Sequence, residues 1–154
     1  ETSGTLNLPV DGGFVLRAKA DRIDALAGGG YEIIDYKTGG TPRMRQIAAG
    51  YAPQLPLEAA MAQAGAFDGV DPGEVLELAY WSLKGGLTGS SISPVSRMLG
   101  APPIAELAQE ALDGLARLVT AFDRAETPYR SHPNPVEHGW GDYDHLARVK
   151  EWGQ

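Results

Sequence analysis

Apolar positions fall into short, partly alternating runs in the first half of the chain and into a helical stripe in the second. Phe14 to Ala20, reading Phe-Val-Leu-Arg-Ala-Lys-Ala, follows an Asp11-Gly12-Gly13 turn signal and predicts a strand. Tyr31 to Lys37, reading Tyr-Glu-Ile-Ile-Asp-Tyr-Lys, predicts a second by its aromatic and β-branched content. Ala27-Gly28-Gly29-Gly30 supplies a turn between them, and Thr38-Gly39-Gly40 ends the second run. With a loop of roughly ten residues, the two runs are expected to form an antiparallel hairpin that brings Asp21 near Asp35. Gln54 to Ala64 predicts a helix with Pro56 in its first turn, and Val75 to Leu83 a buried strand. A fourth strand is expected near Ser91 to Val95. Ile104, Leu107, Ala108, Ala111, Leu112, Leu115, Leu118, Val119 and Phe122 recur at spacings of three and four, the clearest amphipathic helix in the chain. Beyond Pro128, Pro133 and Pro135 a short helix is expected from Tyr143 to Trp152. The order strand, strand, helix, strand, helix is an α/β arrangement with a mixed central β-sheet flanked by helices.

Composition narrows the classes. With 154 residues, 43% of them hydrophobic, the chain can bury one core of ordinary size, so residues 1–154 are expected to form a single domain. It has neither an apolar run of about 18 residues nor a basic segment leading into an apolar one, so neither a membrane span nor a signal peptide is expected. The chain opens at Glu1 without Met and ends just after the last predicted helix, as a fragment of a larger protein would. Cysteine is absent, which excludes disulfides, zinc ribbons and iron–sulfur clusters and is compatible with a cytosolic compartment. The formal charge of −7 runs against the basic footprint of nucleic-acid binders. A site for a divalent cation must itself concentrate carboxylates, however, and such a module can receive a polyanionic substrate from basic surfaces elsewhere.

The informative chemistry lies in Ala20-Asp21-Arg22-Ile23-Asp24 and Ile33-Ile34-Asp35-Tyr36-Lys37-Thr38-Gly39. Asp35 and Lys37 stand two apart on a predicted strand, so their side chains share a face. Asp21 is placed to complete a pocket in which two carboxylates hold a hard cation such as Mg²⁺. Such a cation lowers the pKa of bound water and neutralises charge on a phosphate, with Lys37 to orient or help deprotonate that water. An Asp-x-Lys pair at a strand end is also a common surface salt bridge. The apolar Ile33-Ile34 before Asp35 and the second acidic strand end at Asp21 favour a site.

These residues, with Gln54-Leu55-Pro56-Leu57-Glu58-Ala59, resemble the PD-(D/E)XK nucleases of the RecB-like group, and within it the C-terminal nuclease domains of AddB-type subunits. The resemblance implies a restriction-endonuclease-like core and a Mg²⁺-dependent deoxyribonuclease, with Mn²⁺ as a substitute, of exonuclease type. Such a module cuts single strands unwound by an AddA-like helicase–nuclease partner during double-strand break repair and recombination in the bacterial cytoplasm. It further implies that Asp21 and Asp35 are metal ligands together with the backbone carbonyl of Tyr36, that Lys37 is the catalytic lysine, and that Gln54 is the glutamine of the group's Gln-x-x-x-Tyr motif. Glu58 departs from the tyrosine of that motif. The group's first motif, a His or Glu on an upstream helix, would lie before Glu1. Related nucleases carry an iron–sulfur cluster; here that structural task is expected to fall to the tail from Tyr129 to Trp152, with Trp140 and Tyr143.

Other residues have plainer readings. Asp24 is expected to pair with Arg22 at a strand end, and Trp81 to lie in the core. His132, His138 and His145, six and seven residues apart among prolines, fit no zinc pattern. Gly28-Gly29-Gly30 lacks a following phosphate-loop lysine and reads as a turn. Arg17, Lys19, Arg43 and Arg45 flank the proposed site as phosphate contacts or as solvated charges. The competing functions are a catalytically silent nuclease-fold module that binds DNA or scaffolds a partner subunit, and a hydrolase of another phosphodiester.

Overall fold

The computed structural model describes residues 1–85 and 89–129. The last predicted helix, the three histidines and the tail beyond Tyr129 lie outside the described residues. Six strands are described: β1 Thr2–Leu8, β2 Phe14–Ala20, β3 Arg22–Ala25, β4 Tyr31–Lys37, β5 Val75–Ser82 and β6 Ser91–Pro94. Three helices join them: α1 Met44–Ala48, α2 Gln54–Gln63 and α3 Ile104–Phe122. A 3₁₀ turn follows β6 at Val95–Arg97. No helix among the described residues is long and apolar enough to cross a membrane.

The strands form a two-stranded sheet, β1-β2, and a mixed four-stranded sheet in the order β3-β4-β5-β6, in which β4 and β5 run parallel and the outer pairs antiparallel. This corrects the expected hairpin. β2 pairs with β1 along its whole length, Thr2 opposite Ala20 and Leu8 opposite Phe14. The partner of β4 is the short β3, with Arg22 opposite Ile34 and Ala25 opposite Tyr31. The chain bends at Asp21 between the two sheets, so the apolar face of β2 (Leu16, Ala18, Ala20) packs with Leu6 towards the core instead of continuing beside β4. The turn between β3 and β4 is tighter than the expected loop, closed by Leu26 N–H donating to Gly30 O at 3.0 Å and by Gly29 N–H donating to Leu26 O at 2.9 Å.

β4 and β5 are the inner strands, and Ile33, Ile34, Leu78 and Ala79 are at most 1% exposed. By strand alternation Ile33 and Leu78 face the helices while Ile34 and Ala79 face the other way, so this part of the sheet is buried on both faces. A long βα crossover through α1 and α2 is what a parallel pair requires. α2 is covered nearly all round: Leu55, Ala59, Met61 and Ala62 are fully buried. It sits in contact with β4 and β5 on one side and α3 on the other, which accounts for its lack of a polar stripe. It ends where Gly65 takes a left-handed φ of +67°, with Ala66 N–H donating to Met61 O at 2.9 Å. α3 buries Ile104, Leu107 and Ala108 against this layer. Its far end is more open, where Phe122 stacks on Tyr129 at 4.8 Å.

The β1-β2 hairpin is tied to the segment after α2 by Thr5 N–H to Ala66 O and by Asp68 N–H to Ser3 O, each 2.9 Å. Gly4 allows this approach, since a Cβ there would lie 2.6 Å from Phe67 Cδ1 and 2.7 Å from Ala66 O. Backbone and a buried ring cannot yield cheaply. Gly4→Ala is therefore expected to cost about 1–3 kcal/mol of stability by overpacking. Urea unfolding measures it, and an unchanged midpoint at unchanged slope would contradict the tight docking.

Candidate active site

The site forms at the carboxyl end of the parallel pair β4/β5, beneath the first turn of α2. Alternation along β4 puts Asp35 and Lys37 on the face towards α2, where the parallel register sets Tyr80 beside Asp35 and Ser82 beside Lys37. Asp35 is 2% exposed. Lys37 Nζ donates to Asp35 Oδ1 at 3.0 Å. It also lies 2.7 Å from Oδ2, so the ammonium pairs with both oxygens of the buried carboxylate. A third contact runs from Lys37 Nζ to Gln54 Oε1 at 3.3 Å.

Asp21 reaches the site by another route. β3 begins at Arg22, opposite Ile34, so the ladder stops short of Tyr36. The carboxylate of Asp21 takes over there: Tyr36 N–H donates to Asp21 Oδ2 at 3.0 Å. In an extended strand a residue's N–H and C=O point to the same edge, so the Tyr36 carbonyl faces the edge that Asp21 occupies. The structure thus brings Asp21, Asp35, the Tyr36 backbone, Lys37 and Gln54 into one neighbourhood. The Tyr36 side chain points to the opposite face, where it meets Trp81 edge-on at 5.7 Å. Arg22 lies over the Trp81 ring at 5.3 Å and is clamped by Asp24, its Nε 2.8 Å from Oδ1. Asp24 and then Tyr36 raise the Arg22 pKa further above its ordinary value. The expected Arg22–Asp24 pair is present, whereas Trp81 belongs to this partly open cluster and not to the central core.

The donor set suits a hard cation by its chemistry: two carboxylates and a carbonyl, all oxygen. Among the described residues no three His, Cys, Asp or Glu side chains converge, so the protein offers a partial shell that water and phosphate oxygens would complete. Arg17, Lys19, Arg43 and Arg45 are exposed. Arg17 and Lys19 lie on the outward face of the β1-β2 hairpin, with Lys19 ion-paired to Glu1.

Three further polar residues line the site, of which Tyr80 and Ser82 were not readable from spacing. Glu58, on α2, is 2% exposed and accepts a hydrogen bond at Oε1 from Gln54 Nε2 at 3.2 Å, while Oε2 is buried without a partner. Ser82 is 3% exposed with an unpartnered hydroxyl, and Tyr80 is 1% exposed. Burial, then the charges of Asp35 and Glu58, push the Tyr80 phenol well above its usual range. Tyr80 and Ser82 follow from the register with Asp35 and Lys37, which only the parallel pairing reveals. Glu58 carried a sequence signal, a carboxylate inside an otherwise apolar helix.

Burial lifts the Glu58 carboxyl from an ordinary 4.5 to about 7; the Gln54 hydrogen bond opposes this, while Asp35 and Asp21 add to it. A folded-state value above the unfolded one stabilises fully below about 4.5 and is lost as pH rises through about 7. In chelator, unfolding free energy is expected to fall from pH 5 to pH 8 by about 1–3 kcal/mol more in the wild type than in Glu58→Gln. Parallel slopes for the two proteins would show that Glu58 is not held neutral.

The sequence matches the PD-(D/E)XK nuclease superfamily over residues 2–137. No curated protein matches it. A solved structure described as the crystal structure of SSO0001 is similar with a TM-score of 0.45 and 13% identity over 90% of this chain, which spans only 61% of that one. The mixed sheet flanked by helices is consistent with a restriction-endonuclease-like fold. By the extent of its family match, the chain belongs to the PD-(D/E)XK nuclease superfamily.

Proposed function

We propose that this chain hydrolyses DNA phosphodiesters with Mg²⁺, or Mn²⁺ in its place, as the exonuclease-type module of an AddAB/RecBCD-type helicase–nuclease in double-strand break repair and recombination. Residues 1–154 would act as one domain of a longer bacterial cytoplasmic protein that receives single strands from an AddA-like partner. The observation that carries the nuclease reading is the meeting of Asp35, Lys37 and Gln54 by direct contacts at a strand end where Asp21 also arrives.

Asp21, Asp35 and the Tyr36 carbonyl would hold the cation. When bound, it neutralises charge developing on the scissile phosphate and lowers the pKa of the attacking water. Lys37, tethered by Gln54, would donate a hydrogen bond that orients a water there, and its positive charge would favour loss of that water's proton to solvent. The chain's charge of −7 makes the approach of DNA depend on basic surfaces of the partner or of the parent protein. The alternative, a catalytically silent module that binds DNA or scaffolds a partner, draws support from the self-paired Asp35–Lys37 contact, which leaves less of the carboxylate open.

Single-stranded DNA is expected to be cut with Mg²⁺ and spared in chelator. Lys37→Ala should slow cutting by about 100-fold or more, on the order of 2.7 kcal/mol of transition-state stabilisation. A folded chain, also supplied with its partner subunit, that cuts nothing would favour the silent module. Lys37 also competes with any cation for Asp35, so Lys37→Ala should bind Mn²⁺ more tightly than the wild type, by roughly three- to tenfold. Titration followed by Mn²⁺ electron paramagnetic resonance reads this, and weaker binding in the variant would argue against a cation at Asp35.

A further inference from the structure

We propose that Glu58 is a positioning residue that fixes the side-chain amide of Gln54 and, through it, holds the ammonium of Lys37 at the candidate site. The proposal rests on the nuclease reading only in naming Lys37 as the working cation. A glutamine amide has a donor end and an acceptor end, and its neighbours decide which way round it lies. Lys37 has only donors, so it requires the oxygen of Gln54, and the contact of Nζ to Oε1 is 3.3 Å. The carboxylate oxygen Oε1 of Glu58 accepts from the nitrogen of Gln54 at 3.2 Å, one helical turn along α2. The two partners demand the same orientation. Without Glu58 the exposed Gln54, first residue of α2, has no second tether and its amide can turn.

Glu58 is suited to this task because it is buried and closely surrounded. Its neighbours Leu55 and Ala59 are fully buried, and α2 is packed between sheet and α3. As a purely structural residue it is poorly chosen. One oxygen is hydrogen-bonded and the other is buried with nothing to pair with, an arrangement that costs free energy relative to an apolar side chain of similar size. Its partner Gln54 is itself in contact with Lys37, which places the carboxyl one hydrogen bond from the candidate cation of the site.

Glu58→Leu and Glu58→Gln separate the possibilities. The leucine removes the acceptor at nearly constant volume, while glutamine keeps an oxygen for Gln54. In the whole chain, Glu58→Leu is expected to melt no lower than the wild type and to lower kcat at least about tenfold with KM for single-stranded DNA unchanged, and Glu58→Gln to stay within about threefold. In ¹⁵N-labelled protein, the Gln54 side-chain amide and Lys37 ammonium signals should shift in Glu58→Leu and hold their places in Glu58→Gln. Folded Glu58→Leu with wild-type kcat and unmoved signals overturns the proposal, as does a Glu58→Gln protein that loses both activity and signals as fully as the leucine variant. If the wild-type chain cuts no DNA, the signals decide alone: a shift confined to Glu58→Leu upholds the tether while the nuclease reading falls, and no shift overturns the tether as well.

Discussion

Burying a carboxylate in an apolar layer costs several kcal/mol unless a cation and hydrogen bonds compensate it, and the architecture around Asp35 is arranged by that constraint. Asp35 sits on an inner strand, between Tyr80 on β5 and the underside of α2, with almost no access to water. Its compensation comes from two residues along the same strand, because strand alternation returns Lys37 to the same face at the point where the sheet opens. Lys37 is in turn held by the first residue of α2, so the helix cannot slide along the sheet without breaking the tether. The parallel pairing of β4 with β5, the crossover through α2 and the buried acid are thus one mechanical unit.

Much of that unit was legible in sequence because its elements are long and strongly patterned. The helix from Gln54, the strands at Tyr31–Lys37 and near Val75, and the stripe of α3 each carry enough periodicity to stand alone. The pairing of Asp21 with the end of β4 was also foreseen, but through the wrong neighbour. β1 has Gly4 in its middle and Ser, Thr and Asn on its outer face, so its local signal is weak, and it becomes a strand because β2 and the segment after α2 give it partners. β3 and α1 are too short for any period to register. Tyr80 and Ser82 join the site through register, a long-range property that no window of sequence contains.

Charge divides the molecule in a way that total composition conceals. The acidity that argues against nucleic acid is partly the site itself, since Asp21, Asp35 and Glu58 lie within electrostatic reach of one another. Arg17 and Lys19 stand on the outward face of the hairpin whose second strand runs into Asp21, so the exposed cations are displaced from the acidic pocket while remaining continuous with it along the backbone. A polyanion approaching this face would meet a repulsive centre and a more permissive margin.

The hydrogen bond from Tyr36 N–H to Asp21 gives one side chain two duties, terminating a strand ladder and presenting an oxygen to the pocket. Only the second needs a negative charge. Asparagine has the same shape and an amide oxygen that can close the same ladder, so a one-atom exchange would discard the chemistry and spare the architecture. The fold's demand on this position is thus for an acceptor oxygen and not for a charge. A superfamily built on this geometry has a short road from cutting enzyme to inert scaffold.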